Sequence, residues 1–517
     1  MRTLDLSHSL NLADVLDVTA GMARVELGPD AERAMLTSLA VVQAYLADHT
    51  TPRYGINTGF GALAEVVIPT DQVAELQRNL VRSHACGVGP LLPTAVVRAM
   101  MLLRAQVLAK GHSGVRPEVV QLLCAMLHAG VHPLVPSQGS VGASGDLAPL
   151  AHLALVLMGE GEAEVAGTIY PGHLALAQVG LAPLVLQAKE GLSLINGTQA
   201  MTALAVLALQ RAELLCQTAD IAGALTVEAQ LATDKAFDER IVAVRPHEGA
   251  KQVALHLRQL TAGSPLIASH SGPDDRKVQD PYSIRCMPQV HGTVRDALGW
   301  LRQVLMVEVD AVTDNPLIFP HPSGDPHQGE ILSGGNFHGQ PVSLACDAAR
   351  AGLAALASMS ERRIEQLVNP ALNTGLPAFL AARSGLHSGL MMAQVTASAL
   401  VSEAKGLCFP SSVDSIPSSA NREDHVSMGP IAARRLLDVL ELAEQVVAIE
   451  VLCACQGIDL RAPLQPGPVT GAVLAVVREQ VAFLDHDRVL APDLAAAARL
   501  VRSGALVHAA EQALQAT

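Results

Sequence analysis

Apolar residues recur along this chain at spacings of three and four rather than two. Leu76, Leu80 and Val81 share one helical face, as do Met100, Leu103 and Val107, and that period marks helices rather than strands. The pattern predicts short helices over 1–50, a series of helices over 71–130, and a buried helix from near Asp146 to Gly159. Long helices follow over 187–310, broken by a polar loop at 263–283, and again over 340–407 and 429–457. Beyond 461 short helices alternate with prolines. Three loops interrupt the pattern: 51–70 with Gly55, Asn57, Gly59 and Gly61, the Pro/Gly/Ser-rich stretch 131–146, and the Ser/Pro-rich stretch 408–428. The expected fold is mainly α, a long helical bundle core with a loop-rich N-terminal domain, its chemistry carried by the loops. We expect an N-terminal domain over 1–200, a central bundle over 201–460 and a helical tail over 461–517, with no internal repeat.

Composition supports helices. Half of the 517 residues are apolar but only 2% are aromatic. The apolar mass is therefore Ala, Leu and Val, of which Ala and Leu are strong helix formers. A net charge of -14 with no long basic stretch argues against nucleic acid or an anionic membrane as partner. The opening segment, interrupted by Asp5, His8 and Asp14, reads as neither signal peptide nor anchor. Apolar runs elsewhere meet polar residues before the roughly 20 needed to span a bilayer. Eight scattered cysteines make no disulfide framework and suit a reducing cytoplasm. Cys453-Ala454-Cys455 has no second pair nearby and reads as buried helix thiols. The nineteen histidines form no HExxH pattern, so no metal is assigned.

Gly59-Phe60-Gly61-Ala62-Leu63-Ala64 matches a loose dinucleotide fingerprint, but Thr51-Pro52-Arg53-Tyr54 is not the hydrophobic strand that must precede one. No nucleophile elbow or P-loop is present. The informative segment is Gly139-Ser140-Val141-Gly142-Ala143-Ser144-Gly145-Asp146. Taken alone it reads as a tight turn with Asp146 as N-cap of the next helix.

In context, the stretch GSVGASGDLAPLAHLALVLMGEG closely resembles the aromatic amino-acid ammonia-lyase family. The resemblance implies that Ala143, Ser144 and Gly145 close without external cofactor into a methylidene-imidazolone (MIO). In that closure the Gly145 nitrogen attacks the Ala143 carbonyl, and loss of two waters leaves the Ser144 side chain as a methylene. The residue types suit it: an unhindered nitrogen, an uncrowded carbonyl, a removable hydroxyl, and a strained loop to bring them together. Such an electrophile answers the difficulty of breaking an unactivated C–N bond beside a weakly acidic β-proton.

The resemblance extends from about residue 50 to 460. Tyr54-Gly55-Ile56-Asn57-Thr58-Gly59-Phe60-Gly61 is similar to the family's N-terminal loop, whose tyrosine takes the β-proton. A free phenol has a pKa of roughly 10, so Tyr54 needs nearby positive charge or hydrogen-bond donors to act near neutrality. Leu194-Ile195-Asn196-Gly197-Thr198-Gln199 places Asn196 against the electrophile and the substrate amine. Lys277-Val278-Gln279-Asp280-Pro281-Tyr282-Ser283-Ile284-Arg285-Cys286 implies that Arg285 grips the substrate carboxylate, with Gln279 and Tyr282 lining the pocket. In Gly334-Gly335-Asn336-Phe337-His338, Phe337 would pack on the ring and Asn336 would support it. Asp314-Asn315-Pro316 resembles a structural turn of the family and is given no chemistry.

Two positions concern the substrate. Ser83-His84 stands where relatives acting on phenylalanine or tyrosine often carry Phe-Leu or His-Leu, and His84 could hydrogen-bond an imidazole. Ser419-Ala420-Asn421-Arg422-Glu423-Asp424-His425 resembles the histidine branch of the family, which has glutamate at the place of Glu423. A carboxylate pairs with an imidazole N–H and sits poorly against a phenyl ring. Arg422 departs from the glutamine expected there. The resemblance thus implies elimination of ammonia from L-histidine to give urocanate, in a cytoplasmic homotetramer whose active sites draw loops from more than one subunit. A lid role for the Tyr54 loop is a further expectation. The alternatives are an MIO enzyme for another amino acid, such as a tyrosine lyase or an aminomutase, and a non-enzymatic helical scaffold.

Overall fold

The computed structural model describes residues 2–48, 52–271 and 278–516; Lys277, which opens the Arg285 motif, lies outside the described residues. Twenty α-helices carry most of the described chain, and the strands are few and at most four residues long. The mainly α expectation therefore holds. The long apolar patterns become the helices Gln199–Ala229, Met287–Glu308, Gln340–Val368 and Gly429–Asp459.

Contacts divide the chain into two compact units. The first comprises Met1–Leu207, Arg302–Asp347 and Pro410–Arg434, the second Ala208–Leu301, Ala348–Phe409 and Arg435–Thr517. Both are discontinuous, whereas the sequence pattern suggests cuts at 200 and 460. The reason is physical: four of the five crossings between units fall inside the four long helices, where the apolar period continues unbroken, and only the crossing at Phe409 and Pro410 falls in a loop.

In the first unit the helix Thr94–Ala109 is buried on all sides from Ala99 to Ala109. The helices Val73–His84 and Pro117–Ala129 flank it in sequence. Pro117 opens the latter and Gly130 ends it in the left-handed conformation (φ 70°). The first 50 residues hold two helices, Leu12–Thr19 and Pro29–Asp48, but also a parallel strand pair, Arg2–Asp5 with Ala23–Glu26. Four-residue strands carry too short a period to read, and their pairing is non-local. The loop 131–146 likewise contributes Val131–Pro133 to a three-stranded antiparallel sheet and Pro136–Gln138 to a pair with Val88–Leu91.

Asp146 stands before the helix Leu147–Leu157, but its side chain makes no cap there. Instead Oδ2 accepts the backbone N–H groups of Ala200 (2.7 Å) and Met201 (3.0 Å) at the start of Gln199–Ala229. It caps a helix 53 residues away in sequence, where a carboxylate meets the positive end of the dipole. Burial pushes its pKa up to about 7, against those two donors and with the nearby Glu308 charge adding to the rise. Asp146→Ala is expected to cost about 1–2 kcal/mol, read as a lower urea midpoint at unchanged m-value.

Among its described residues the second unit has no strand element. Its amphipathic helix Glu248–Thr261 buries Ala250, Val253, Ala254, Leu257 and Leu260. Pro468–Gln480, Ala491–Ser503 and Ala505–Ala516 form the expected short helices of the tail. Cys453 and Cys455 are buried helix thiols whose pKa burial pushes up, that of Cys455 to about 12. Gln340–Val368 alone among the described helices is long and apolar enough to cross a membrane, but 61% of its apolar window is buried inside the protein.

Candidate active site

Five loops of the first unit and the turn following one short helix meet at a cleft of about 300 Å³. It is lined by Tyr54 and Gly61, Ala143 and Ser144, Asn196, Asn315 with Phe337 and His338, and the run Arg422–His425. Of the residues singled out in the sequence, Tyr54, Ala143, Ser144, Asn196, Phe337 and Glu423 line it.

The Ala143-Ser144-Gly145 loop is fixed from two sides. Gly145 bridges to Gly197, and the N–H of Asp146 donates to the Gly197 carbonyl at 2.7 Å. Gly145 has φ +74°, and a Cβ there would collide with that carbonyl, so only glycine fits. Asn196 follows the short helix Glu190–Ile195 and donates from Nδ2 to the Ser144 carbonyl at 3.0 Å. Its Oδ1 is buried without a hydrogen-bond partner. Behind Asn196 the fully buried Arg104 donates to the Asn196 carbonyl (2.8 Å) and to Gln199 Oε1 (3.0 Å). Burial lowers its pKa to about 10, which leaves it a cation.

Glu423 faces this loop. Its Oε1 accepts the Ser144 hydroxyl at 3.0 Å, and its Oε2 accepts the Ser418 hydroxyl. The aim comes from a closed turn: Ser418 and Glu423 pair through both backbone hydrogen bonds, at 3.0 and 3.3 Å. Between them Ser419, Ala420 and Asn421 all take positive φ, of 53°, 53° and 68°. Three consecutive non-glycine residues in this region cost roughly 1 kcal/mol or more apiece, so the surrounding contacts must hold the turn. One is Gly61, where any Cβ would strike the Ser419 hydroxyl. At the cleft's edge Arg422 pairs with Glu65 at 3.1 Å, both well exposed, a bond worth little.

Tyr54 meets Phe60 edge to face, with centroids 6.1 Å apart. Burial pushes its phenol above the usual value, a backbone hydrogen bond from Gly61 pulls it down, and the Glu423 charge pushes it up again. The donor expected for a basic tyrosine is thus present, but the described surroundings make the phenol a weaker acid, not a stronger one.

His84 ends the helix Val73–His84 and is not among the lining residues. Its Nδ1 lies 2.8 Å from the Leu80 carbonyl and 3.1 Å from Ser83 Oγ. Burial lowers its pKa, while the Leu80 carbonyl and the Glu423 charge oppose this. A neutral ring donating Nδ1–H to Leu80 leaves Nε2 as an acceptor. Gln279, Tyr282 and Arg285 belong to the second unit and do not line the cleft. Tyr282 is 70% exposed, the Arg285 guanidinium lies 4.4 Å over its ring, and Arg285 Nε donates to the Asp280 carbonyl at 3.0 Å.

The sequence reading missed Asn315, His338, Asp424 and His425. Asn315 accepts the Gly334 N–H at 2.8 Å and so ties the Phe337 loop to the cleft. The His338 and His425 rings stack with centroids 6.0 Å apart. Both histidines stand inside motifs noted above, and that adjacency was the available signal. Asn336, expected to support Phe337, is exposed and reaches the Val312 carbonyl at 3.3 Å.

Known proteins resemble this chain over nearly its whole length. A family model described as aromatic amino acid lyase matches residues 10–479. A histidine ammonia-lyase of Sorangium cellulosum is 56% identical over 98% of this chain and 99% of its own. The crystal structure of histidine ammonia-lyase from Trypanosoma cruzi superposes with a TM-score of 0.90 at 41% identity, over 99% of this chain and 96% of that one. A tyrosine aminomutase from Streptomyces globisporus superposes at 0.90 with 36% identity, over 99% and 98%. The match runs through nearly the whole chain, helices and loops alike, and the protein belongs to the aromatic amino acid lyase family.

Proposed function

We propose that this protein is an ammonia-lyase for L-histidine, giving trans-urocanate and ammonia as the first step of histidine breakdown. The observation that carries the reading is a carboxylate, Glu423, 3.0 Å from Ser144 Oγ at the floor of the cleft. Relatives that are more than half identical over nearly their full length and named histidine ammonia-lyase support it. A tyrosine or phenylalanine lyase or an aminomutase is the alternative; the relatives named above disfavour it, and a phenyl ring offers the Glu423 charge no donor.

The residues present fit an MIO group closed from Ala143, Ser144 and Gly145. Gly145 presents an amide nitrogen with no side chain, Asn196 Nδ2 already donates to the Ser144 carbonyl, and the orphaned Asn196 Oδ1 is an acceptor for an ammonium. The group supplies an electrophile that no ordinary side chain offers, and no external cofactor is required. Phe337, which lines the same cleft, would pack beside it. Glu423 and the Nε2 of His84 accept the imidazole N–H groups, and two acceptors favour its charged form. Tyr54 takes the β-proton onto its phenol oxygen. Arg285 holds the carboxylate, with Gln279 and Tyr282 alongside. We place these three at the cleft in a cytoplasmic homotetramer, where loops of other copies complete each site.

The test is ultraviolet absorbance of the purified protein mixed with L-histidine, L-tyrosine or L-phenylalanine. Urocanate absorbance growing with L-histidine alone is expected; product from tyrosine instead would overturn the reading of Glu423. Glu423→Gln is expected to lower kcat/KM for L-histidine at least about tenfold, the scale of one lost charge-assisted hydrogen bond. Light scattering gives the assembly: a mass of one chain would remove the shared site.

A further inference from the structure

The second unit holds a chain of wholly buried ionisable groups that no step above uses. Arg363, Glu450, His291 and Asp220 are all fully inaccessible. Arg363 forks onto Glu450, Nε to Oε1 at 2.5 Å and Nη2 to Oε2 at 2.8 Å. Thr226 and Ser360 donate their hydroxyls to the same carboxylate at 2.9 and 2.6 Å. The remaining nitrogen, Nη1, lies 3.2 Å from the Ser283 carbonyl and 3.3 Å from His291 Nε2. His291 in turn donates Nδ1–H to Asp220 at 2.7 Å, which fixes Nε2 as the acceptor toward Arg363. Asp220 is also held by His256 at 2.9 Å and by Arg295.

A buried ion pair of this kind is weak evidence for stability, because well-packed apolar residues serve as well or better. What the chain does geometrically is pin one backbone carbonyl. Ser283 sits inside the four-residue helix Tyr282–Arg285. Arg285 is itself tied to that turn, its Nε on the Asp280 carbonyl and its guanidinium over the Tyr282 ring. With Nε committed, the two terminal nitrogens remain as the fork for a carboxylate.

We infer that Arg363, locked by Glu450 and His291, is a positioning residue that holds the Ser283 carbonyl and thereby sets the reach of Arg285 toward the carboxylate of its ligand. The inference rests on the reading of Arg285 given above. Arg363→Lys keeps the charge but cannot span Glu450 and Ser283 together. Glu450→Gln keeps the shape and releases the fork, and carries the test if the lysine variant does not fold.

The measurement compares KM for L-histidine with the inhibition constant of histamine, which has the same imidazole and amine but no carboxylate. In either variant the L-histidine KM is expected to rise about tenfold, the loss of one good hydrogen bond, with the histamine constant within about twofold of its starting value. In the Arg285→Lys background the Arg363→Lys change is expected to add nothing. Equal weakening of both ligands, full additivity in the double variant, or no change at all would overturn the inference. If Arg285→Lys by itself leaves the ratio of the two constants unchanged, the reading of Arg285 fails and takes this one with it. A ratio raised by Arg285→Lys but not by the Arg363 and Glu450 variants sinks the positioning role alone.

Discussion

Replacing Ser144 by alanine is expected to lower kcat for L-histidine by more than roughly a thousandfold while leaving the protein folded, because covalent activation is lost outright. The substitution removes one oxygen, and with it the hydroxyl whose departure leaves the reactive methylene. Its structural cost is small. The Ser144 hydroxyl donates to Glu423, which keeps its second hydrogen bond from Ser418, and the backbone bond from Asn196 reaches the Ser144 carbonyl, not its side chain. Intact mass separates the cause from the effect: the unsubstituted chain is expected two waters lighter than its sequence, and the alanine variant is not. Retained turnover in the variant, or an unaltered mass for the active protein, would sink the assignment of the electrophile.

Tyr54→Phe is expected to lower kcat by about 10²–10⁴, the usual worth of a positioned proton acceptor. The pH profile is the more specific readout. Burial and the Glu423 charge hold the phenol above its usual range despite the Gly61 hydrogen bond. Only the deprotonated form accepts a proton, so activity rises with pH on the alkaline side and the limb disappears in Tyr54→Phe. Glu423→Gln removes a negative charge from beside the phenol, so in that variant the limb moves to lower pH. His84, its pKa lowered by burial, is neutral across that range and does not produce the limb. A rising limb that survives in Tyr54→Phe would assign the base to another group.

How much of this was legible depends on the range of the interaction. The helices over 147–157 and 429–459 follow from neighbours three and four apart, and their boundaries fell close to the pattern, while those over 73–84 and 94–109 lie within the series expected over 71–130. The paired four-residue strands Arg2–Asp5 and Ala23–Glu26 did not, because their partners lie some twenty residues away. Tyr54, Ser144, Asn196, Phe337 and Glu423 were named from local motifs and line one cleft. Asn315 was set aside as structural, and only the bond to Gly334 showed that it shapes the cleft as well. Arg104 and Arg363 carry no motif; they are conspicuous only once their burial is known.

By itself the sequence determined the helical class, the loop proposed here to carry the electrophile and the residue types available for acid–base work, since each is written in a few consecutive positions. Tertiary structure alone decided that Asp146 caps Gln199–Ala229 rather than the helix it precedes. It also decided that Glu423 aims at Ser144 across 279 positions of chain, and that burial makes the Tyr54 phenol harder to ionise. Those outcomes depend on which distant groups share a desolvated space, and the energy of a charge or hydrogen bond is set by that space more than by its neighbours in sequence.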